Sequence, residues 1–232
     1  MKKLQLFLAL SLVTLFVNGQ QNKFSLGINS SLDYYTIDFN SPQIFYNHQY
    51  KTTASYSYGL NVQYNFNEQL FLQSGASYSK KGYQLIYDFR LVAIDDPSLD
   101  PAIPSESKLK LSFINIPLML GYYLKKEGKV RLSVATGVNN EILLKSSETT
   151  LFGGGKTKTS KILSQTTASF LSSAQLNLGI EYHLGNKLFF SITPYFRYGF
   201  NTINDVSINF NSISYGGVFS INFKLFTQKE EE

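Results

Sequence analysis

Apolar and polar residues alternate with a period of two along most of the chain after residue 23. Successive side chains of a strand point to opposite faces, so this alternation predicts β-strands with one apolar and one polar face. The eight alternating segments are residues 23–36, 53–66, 70–87, 109–124, 130–144, 166–184, 187–200 and 209–226. In the fourth segment the alternation changes parity at Phe113 and Ile114, which predicts a β-bulge there.

The connections between these segments alternate between short and long. The tight turns are residues 67–69, 125–129 and 185–186, and the long connections are residues 37–52, 88–108 and 145–165. Short periplasmic turns and long extracellular loops are typical of transmembrane β-barrels. We therefore predict an all-β fold, an eight-stranded antiparallel up-and-down transmembrane β-barrel, formed by one domain that covers residues 20–232.

The N-terminus has the features of a secretory signal peptide over residues 1–19. Lys2 and Lys3 precede an apolar run of 14 residues, and the small residue Gly19 stands before a predicted cleavage site. A membrane-spanning helix needs about 20 apolar residues, so this run is too short to be one. We expect the mature chain to function outside the cytoplasm, in the cell outer membrane.

The composition of the polar face indicates which face meets lipid. Charged residues make up only 16% of the chain, against about 25% in ordinary soluble domains. The polar face holds mostly Ser, Asn, Gln, Thr and Gly, whereas a solvated exterior would carry many Lys and Glu. Aromatic residues lie near strand ends, as in the girdles of membrane barrels. We expect the polar residues to fill a narrow interior, which eight strands allow, and so to close the barrel.

The fourth segment has the most specific sequence of the chain, Phe113-Ile114-Asn115-Ile116-Pro117-Leu118. It resembles the Y-I-E-I-P-L-L-L-K-Y strand of the PorT-like outer-membrane β-barrel family. Asn115 stands where that family often has Glu, and Gly121 stands where it often has Lys. The resemblance implies an outer-membrane barrel with a structural or accessory role, in type IX protein secretion or in envelope assembly. It transfers no catalytic residue.

A few titratable residues interrupt the polar face. They are Asp33, Arg131, Glu141, Glu181, His183, Arg197 and Lys224. A buried charge is unfavourable unless it is paired, so we predict a network of interior ion pairs. In particular, we expect Arg197 to pair with Glu181 or with another interior carboxylate across neighbouring strands. The alternative interpretation is a gated path for ions or protons.

The sequence offers little for catalysis or cofactors. Cysteine is absent, which excludes disulfides and thiolate metal sites. The only histidines are His48 and His183, and no nucleophile motif marks any serine. The acidic connection 88–108 does not match an EF-hand loop, and Gly153-Gly154-Gly155 lacks the Gly-Lys-Ser/Thr ending of a P-loop. We expect neither an enzyme nor a bound cofactor or metal.

The remaining expectations concern partners. The formal charge of +5 is not accompanied by a basic run, which argues against nucleic acid. We expect a monomeric barrel that contacts outer-membrane lipid and lipopolysaccharide, with secretion or envelope proteins as further partners. Two other functions stay open: an extracellular binding module that uses the three long connections, and a membrane-embedded enzyme that depends on His48.

Overall fold

The computed structural model describes residues 24–39, 48–52, 54–87, 104–125, 128–152, 157–160, 170–200 and 210–225, so the predicted signal peptide lies outside the described residues. The strands are β1 (Phe24–Phe39), β2 (His48–Thr52), β3 (Ala54–Asn65), β4 (Leu70–Tyr87), β5 (Pro104–Lys125), β6 (Val130–Phe152), β7 (Thr157–Ser160), β8 (Phe170–His183), β9 (Leu188–Gly199) and β10 (Phe210–Lys224). No helix in these ranges is long and apolar enough to span a membrane.

Eight of the strands close into a barrel. β1 pairs antiparallel with β3 on one side and with β10 on the other. The other pairs follow the chain around the ring, from β3–β4 through β4–β5, β5–β6, β6–β8 and β8–β9 to β9–β10. A closed sheet has no free edge and satisfies its own backbone hydrogen bonds, which a lipid environment requires. The predicted eight-stranded antiparallel barrel is confirmed.

The register of the pairs sets the tilt of the strands. A path that starts at Phe71 on β4 and steps from each residue to its partner on the next strand returns to β4 about ten residues further along. For eight strands, this offset corresponds to a strand tilt of roughly 40° from the barrel axis. The two remaining strands extend this wall at one end. β2 continues the line of β3 and pairs with β4, and β7 folds back on the end of β6.

Burial alternates along each strand, with the apolar face outside. On β1, Leu32 is 68% exposed while the neighbouring Asp33 is 1% exposed. The same arrangement, with polar side chains inside and apolar ones outside, holds around the ring. The buried side chains are mainly Ser, Asn, Gln and charged residues, and the large exposed ones are Leu, Ile, Val, Phe and Tyr. An exterior of this kind is stable only when lipid covers it.

Aromatic side chains form two belts at the edges of this apolar surface. The belt at the short-turn end contains Phe24, Tyr64, Phe66, Tyr122, Tyr182 and Phe223, and the other contains Tyr34, Tyr56, Tyr58, Tyr78, Tyr198 and Tyr215. On β1 the belts are ten residues apart, about 33 Å along the strand and about 25 Å along the barrel axis at this tilt. That height matches the apolar band of outer-membrane barrels, which is about 25 Å.

The turns at one end are short because local sequence closes them. The side-chain oxygen of Asn67 accepts hydrogen bonds from the backbone N–H groups of Gln69 and Leu70, at 2.8 and 2.7 Å. Gly128 and Gly185 have positive φ angles of 82° and 146°, which side chains disfavour. Short turns face the periplasm in outer-membrane barrels, so the other end is extracellular.

At the extracellular end the strands continue into stretches expected to be loops. β1 extends to Phe39, β5 begins at Pro104 and β6 continues to Phe152, while β2 and β7 lie within the first and third long connections. These residues rise above the membrane, where no lipid covers the outer face. The apolar-polar alternation therefore fades there although the backbone remains extended.

The prediction of a β-bulge at Phe113 and Ile114 is wrong in its position. β5 keeps its alternation, since Leu111, Phe113 and Asn115 all point inward. The nearest of three irregular pairings between β5 and β6 lies one residue earlier, between Ser112 and Phe113, where Leu144 of the partner strand β6 is the extra residue. What changes at Phe113 is the interior lining, from apolar side chains near the extracellular end to polar ones below. Hydropathy alone does not separate such a change from a bulge.

Candidate functional site: the filled barrel interior

A charged cluster crosses the extracellular half of the interior. Lys81 on β4 donates hydrogen bonds to both carboxylate oxygens of Glu141 on β6, each at 2.7 Å. The amide of Asn139 also donates to Glu141, at 3.0 Å. Arg197 on β9 has Nη1 3.7 Å from Glu141 Oε1, and its Nε donates to Gln175 Oε1 at 2.7 Å. The cluster thus connects four strands, β4, β6, β8 and β9, across the lumen.

Aromatic rings line the same cluster. The Nζ atom of Lys81 lies 5.6 Å from the ring centroid of Phe113. The guanidinium of Arg197 lies 4.2 Å from the ring centroid of Tyr195. Rings at these distances attract a cation through their negative faces. Two buried cations therefore share one carboxylate and gain further stabilisation from the rings.

A second cluster closes the periplasmic half. The hydroxyl of Tyr123 donates to Glu181 Oε1 at 2.9 Å, and Gln63 Nε2 donates to the Tyr123 oxygen at 2.7 Å. His183 Nε2 lies 3.1 Å from the other Glu181 oxygen, and its ring stacks on Phe189 with centroids 4.8 Å apart. Each carboxylate oxygen of Glu181 therefore has a partner, as a buried carboxylate requires.

Between the clusters, amides and hydroxyls bond to one another. Asn61 Nδ2 donates to Asn222 Oδ1 at 2.7 Å, and Gln175 Nε2 donates to Asn177 Oδ1 at 2.7 Å. Interior cavities of about 60 and 20 Å³ lie among these side chains. A water molecule needs at least about 10–15 Å³, so the larger cavity has room for a few waters and the smaller for about one. At this level of the barrel, the described side chains fill the interior around these two small cavities.

The structure separates the predicted charge network into two groups. Arg197 meets Glu141 and not Glu181. Arg197 pairs in register with Gln175, and Glu181 lies six residues further along β8, about 20 Å away. An arginine side chain does not reach that far. Glu141 lies on β6, with β8 between it and Arg197, so the two residues are not on neighbouring strands.

The other predicted residues take local positions. Asp33 accepts a hydrogen bond from the Ser31 hydroxyl at 2.7 Å and lies within electrostatic range of Tyr195, whose ring lines the extracellular cluster. Arg131 has its guanidinium 6.0 Å from the Tyr123 ring, beside the periplasmic cluster. Lys224 is half-buried and within electrostatic range of Arg131 and Glu181.

Lys81, the residue with the shortest ion pair to Glu141, is not among the predicted interior charges. The signal was present, because Lys81 continues the inward parity of Gln73, Ser77 and Ser79 on β4. Lys81 is the next inward position of β4 after Ser79, which makes it a natural partner for an interior carboxylate.

The family-like motif of β5 has a packing role in this barrel. Phe113 and Asn115 point inward, and Asn115 accepts a hydrogen bond from Ser79 at 3.2 Å; Ile114, Ile116 and Leu118 point outward. Pro117 has no N–H, and its carbonyl accepts a hydrogen bond from Ser74 at 2.8 Å. At Gly121 a side chain would overlap the ring of Phe71, which fills the interior there.

Some candidate residues lie outside the described residues. These are the His48 side chain, the acidic stretch 88–103 and the glycine-rich stretch 153–156. Within the ranges that the structure does describe, no three His, Asp or Glu side chains come together as metal ligands.

A closed barrel with a lipid-facing apolar surface, two aromatic belts and a polar interior defines an integral outer-membrane β-barrel protein. The sequence agrees with this class. Residues 18–207 match the outer membrane protein beta-barrel domain, and the chain belongs to that family. The protein is therefore located in the cell outer membrane, as predicted.

Solved barrels share the fold. Neisserial surface protein A (NspA) aligns with a TM-score of 0.50 and 12% identity, over 89% of this chain and 100% of that one. The outer membrane protein OprG from Pseudomonas aeruginosa aligns with a TM-score of 0.50 and 12% identity, over 90% and 99% of the two chains. At this identity the likeness shows the fold alone. A comparison with curated protein sequences found no match.

Proposed function

We propose that the protein is a closed, non-conducting barrel with a structural or accessory role in envelope assembly, as a PorT-like component of type IX protein secretion. The observation that carries this proposal is the filled interior. Lys81, Glu141 and Arg197 cross the lumen, and hydrogen-bonded side chains occupy the space below them. The working surfaces are then the outer wall, the extracellular strands and the periplasmic turns. This role needs no catalytic residue and no cofactor.

Passage of a solute would require this cluster to open. Both Lys81 hydrogen bonds to Glu141 are 2.7 Å long, and each residue is buried. Removing one partner of a buried pair costs about 3–5 kcal/mol. An opening that separates Lys81 from Glu141 without new partners would meet a similar penalty. A closed barrel thus acts through its surfaces and not through its lumen.

The first test measures conductance. The purified mature chain, refolded and inserted into planar lipid bilayers, should give no reproducible current steps. A porin inserted under the same conditions is the positive control. Regular steps from the wild-type chain would contradict a non-conducting barrel.

The second test addresses secretion. In a strain that lacks the gene, we expect type IX cargo to decrease in the medium and to return on complementation, as measured by quantitative proteomics of medium and outer membrane. Unchanged secretion would remove the type IX assignment. The conductance result would stand independently, because it concerns the barrel alone.

A second candidate is an extracellular binding module, and one observation favours it. β5 and β6 have 22 and 23 residues, whereas β9 has 12. A tilted spanning strand needs about 9–11 residues, so β5 and β6 project above the membrane. β7 folds back on the end of β6, so β6 and β7 form a projecting hairpin, which has the form of a contact surface.

The projecting hairpin can be shortened without changing the register. Glu148 and Ser160 are paired, so a two-residue Asn-Gly turn in place of residues 149–159 would join them directly. A binding module predicts normal membrane insertion of this variant, unchanged secretion, and loss of the proteins that cross-link to the wild-type chain on intact cells. An unchanged set of cross-linked proteins would contradict a binding role for this hairpin.

A further inference from the structure

We propose that a lysine groove on the outer wall binds the phosphorylated head group of an outer-leaflet lipid. The groove lies on β3, β4, β5 and β6 and has a volume of about 480 Å³. Five of its lining residues are lysines; Lys81 turns into the lumen to Glu141, and the other four, Lys80, Lys108, Lys110 and Lys145, project outward. This inference rests on the outer-membrane location and is independent of the accessory role proposed above.

The strand register brings the lysines together. Lys80 pairs with Ser112, which in turn pairs with Lys145, so these two lysines are two strands apart, about 10 Å. Lys110 and Lys108 follow Ser112 at alternate positions of β5, so they share its outward face. The four side chains therefore project from a small area of one wall.

The centre of the groove is open and carries polar groups. Gly82 of β4 pairs with Lys110 of β5. Because glycine has no side chain, the outer wall is open beside Lys110 at this position. The Ser112 oxygen accepts a hydrogen bond from Tyr78 at 3.1 Å, which leaves the Ser112 hydroxyl hydrogen available to a ligand. Lysine ammonium groups and a hydroxyl are suitable donors to phosphate oxygens.

The height of the groove matches lipid phosphates. Lys80 Nζ lies 5.9 Å from the ring centroid of Tyr56 and 6.0 Å from that of Tyr78, both in the extracellular aromatic belt. Such belts mark the level at which acyl chains give way to head groups. The other three lysines follow toward the extracellular end. Lipid A carries its phosphates at this boundary, so charge and position are both complementary.

The positive charge of the groove is largely uncompensated. Of the four lysines, Lys108 alone has a carboxylate partner among the described residues, Glu106 at 2.7 Å. Each basic residue near an anionic lipid surface contributes roughly fivefold in affinity at low salt. Three uncompensated lysines are therefore sufficient for a marked preference for a phosphorylated lipid over a neutral one.

The test compares two matched charge removals in the purified, refolded full mature chain in detergent micelles. One variant is Lys80→Gln/Lys110→Gln/Lys145→Gln. The control is Lys125→Gln/Lys129→Gln/Lys187→Gln, which removes the same charge from exposed lysines at the periplasmic end. The probes are diphosphorylated lipid A, the same lipid after phosphatase treatment, and inorganic phosphate, and binding is measured by native mass spectrometry.

We expect the groove variant to bind diphosphorylated lipid A at least about tenfold more weakly than wild type, and the control variant to bind like wild type. Dephosphorylated lipid A should bind wild type about as weakly as the phosphorylated lipid binds the groove variant. The far-UV circular dichroism of all three proteins should agree, since the substituted lysines are exposed.

Four results would overturn the proposal. The first is equal affinity of wild type and groove variant, and the second is indifference to the phosphates. The third is competition by inorganic phosphate as effective as that of the lipid, which would make the groove a site for free phosphate. If wild type binds poorly and Asp95→Asn/Asp96→Asn/Asp100→Asn binds well, the acidic connection of this chain occupies the groove and the lipid assignment is wrong.

Discussion

Glu141→Gln is the most informative single substitution, because Glu141 is the shared carboxylate of the extracellular cluster. It accepts two hydrogen bonds from Lys81 and one from Asn139, and it is 3.7 Å from Arg197. The substitution keeps the size and shape of the side chain. It removes the negative charge and leaves two buried cations without a carboxylate between them.

The expected loss follows from that geometry. Breaking a buried ion pair by removing one partner costs about 3–5 kcal/mol. The glutamine oxygen still accepts one hydrogen bond, which restores about 0.5–1.5 kcal/mol. We therefore expect Glu141→Gln to lower the free energy of unfolding by about 2–4 kcal/mol. Lys81→Met should cost less, about 1–3 kcal/mol, because Glu141 keeps Arg197 and Asn139 as partners.

Urea unfolding of the refolded barrel in lipid vesicles measures these losses. The chain has no tryptophan, so far-UV circular dichroism and the heat-dependent shift in gel migration report folding. Lys108→Met is the matched control, since its ion pair is also 2.7 Å long but Lys108 is 53% exposed. That control should cost under about 1 kcal/mol. The reasoning would be refuted if Glu141→Gln unfolded at the same urea concentration as wild type, or if Lys81→Met lost more free energy of unfolding than Glu141→Gln.

Two further substitutions test packing and orientation by the same unfolding assay. Gly121→Ala should destabilise the barrel by about 1–3 kcal/mol because its methyl group would overlap the Phe71 ring. The control is Gly217→Ala, whose new methyl group has nothing within 4 Å and which should stay within about 0.5 kcal/mol of wild type. Equal effects of the two substitutions would contradict the close approach of Phe71. Leu60→Arg, in the middle of the lipid-facing band, should cost about 2–4 kcal/mol, and Leu124→Arg, at the periplasmic edge, about 0–1 kcal/mol. A harmless Leu60→Arg would mean that this face does not meet lipid.

The amino-acid sequence by itself determined the barrel, its sidedness and its interior lining. A strand that spans a membrane has lipid on one face and a crowded lumen on the other, so its hydropathy must alternate at every second residue. That constraint is local, and it places Asp33, Glu141 and Arg197 inside without any knowledge of their neighbours. The short turns are local as well, because Asn67 and Gly185 close them through their own chemistry.

Tertiary structure alone decided which interior charges meet. Lys81, Glu141 and Arg197 are 60 and 56 residues apart in sequence, and only the shear of the closed barrel brings them to one level. The same register separates Arg197 from Glu181 and gathers the outward lysines of β4, β5 and β6 beside one another. It also placed the extra residue nearest to Phe113, Leu144, in β6 and not in β5. The sequence sets which way a side chain points, whereas partners across a lumen depend on the tilt of all eight strands.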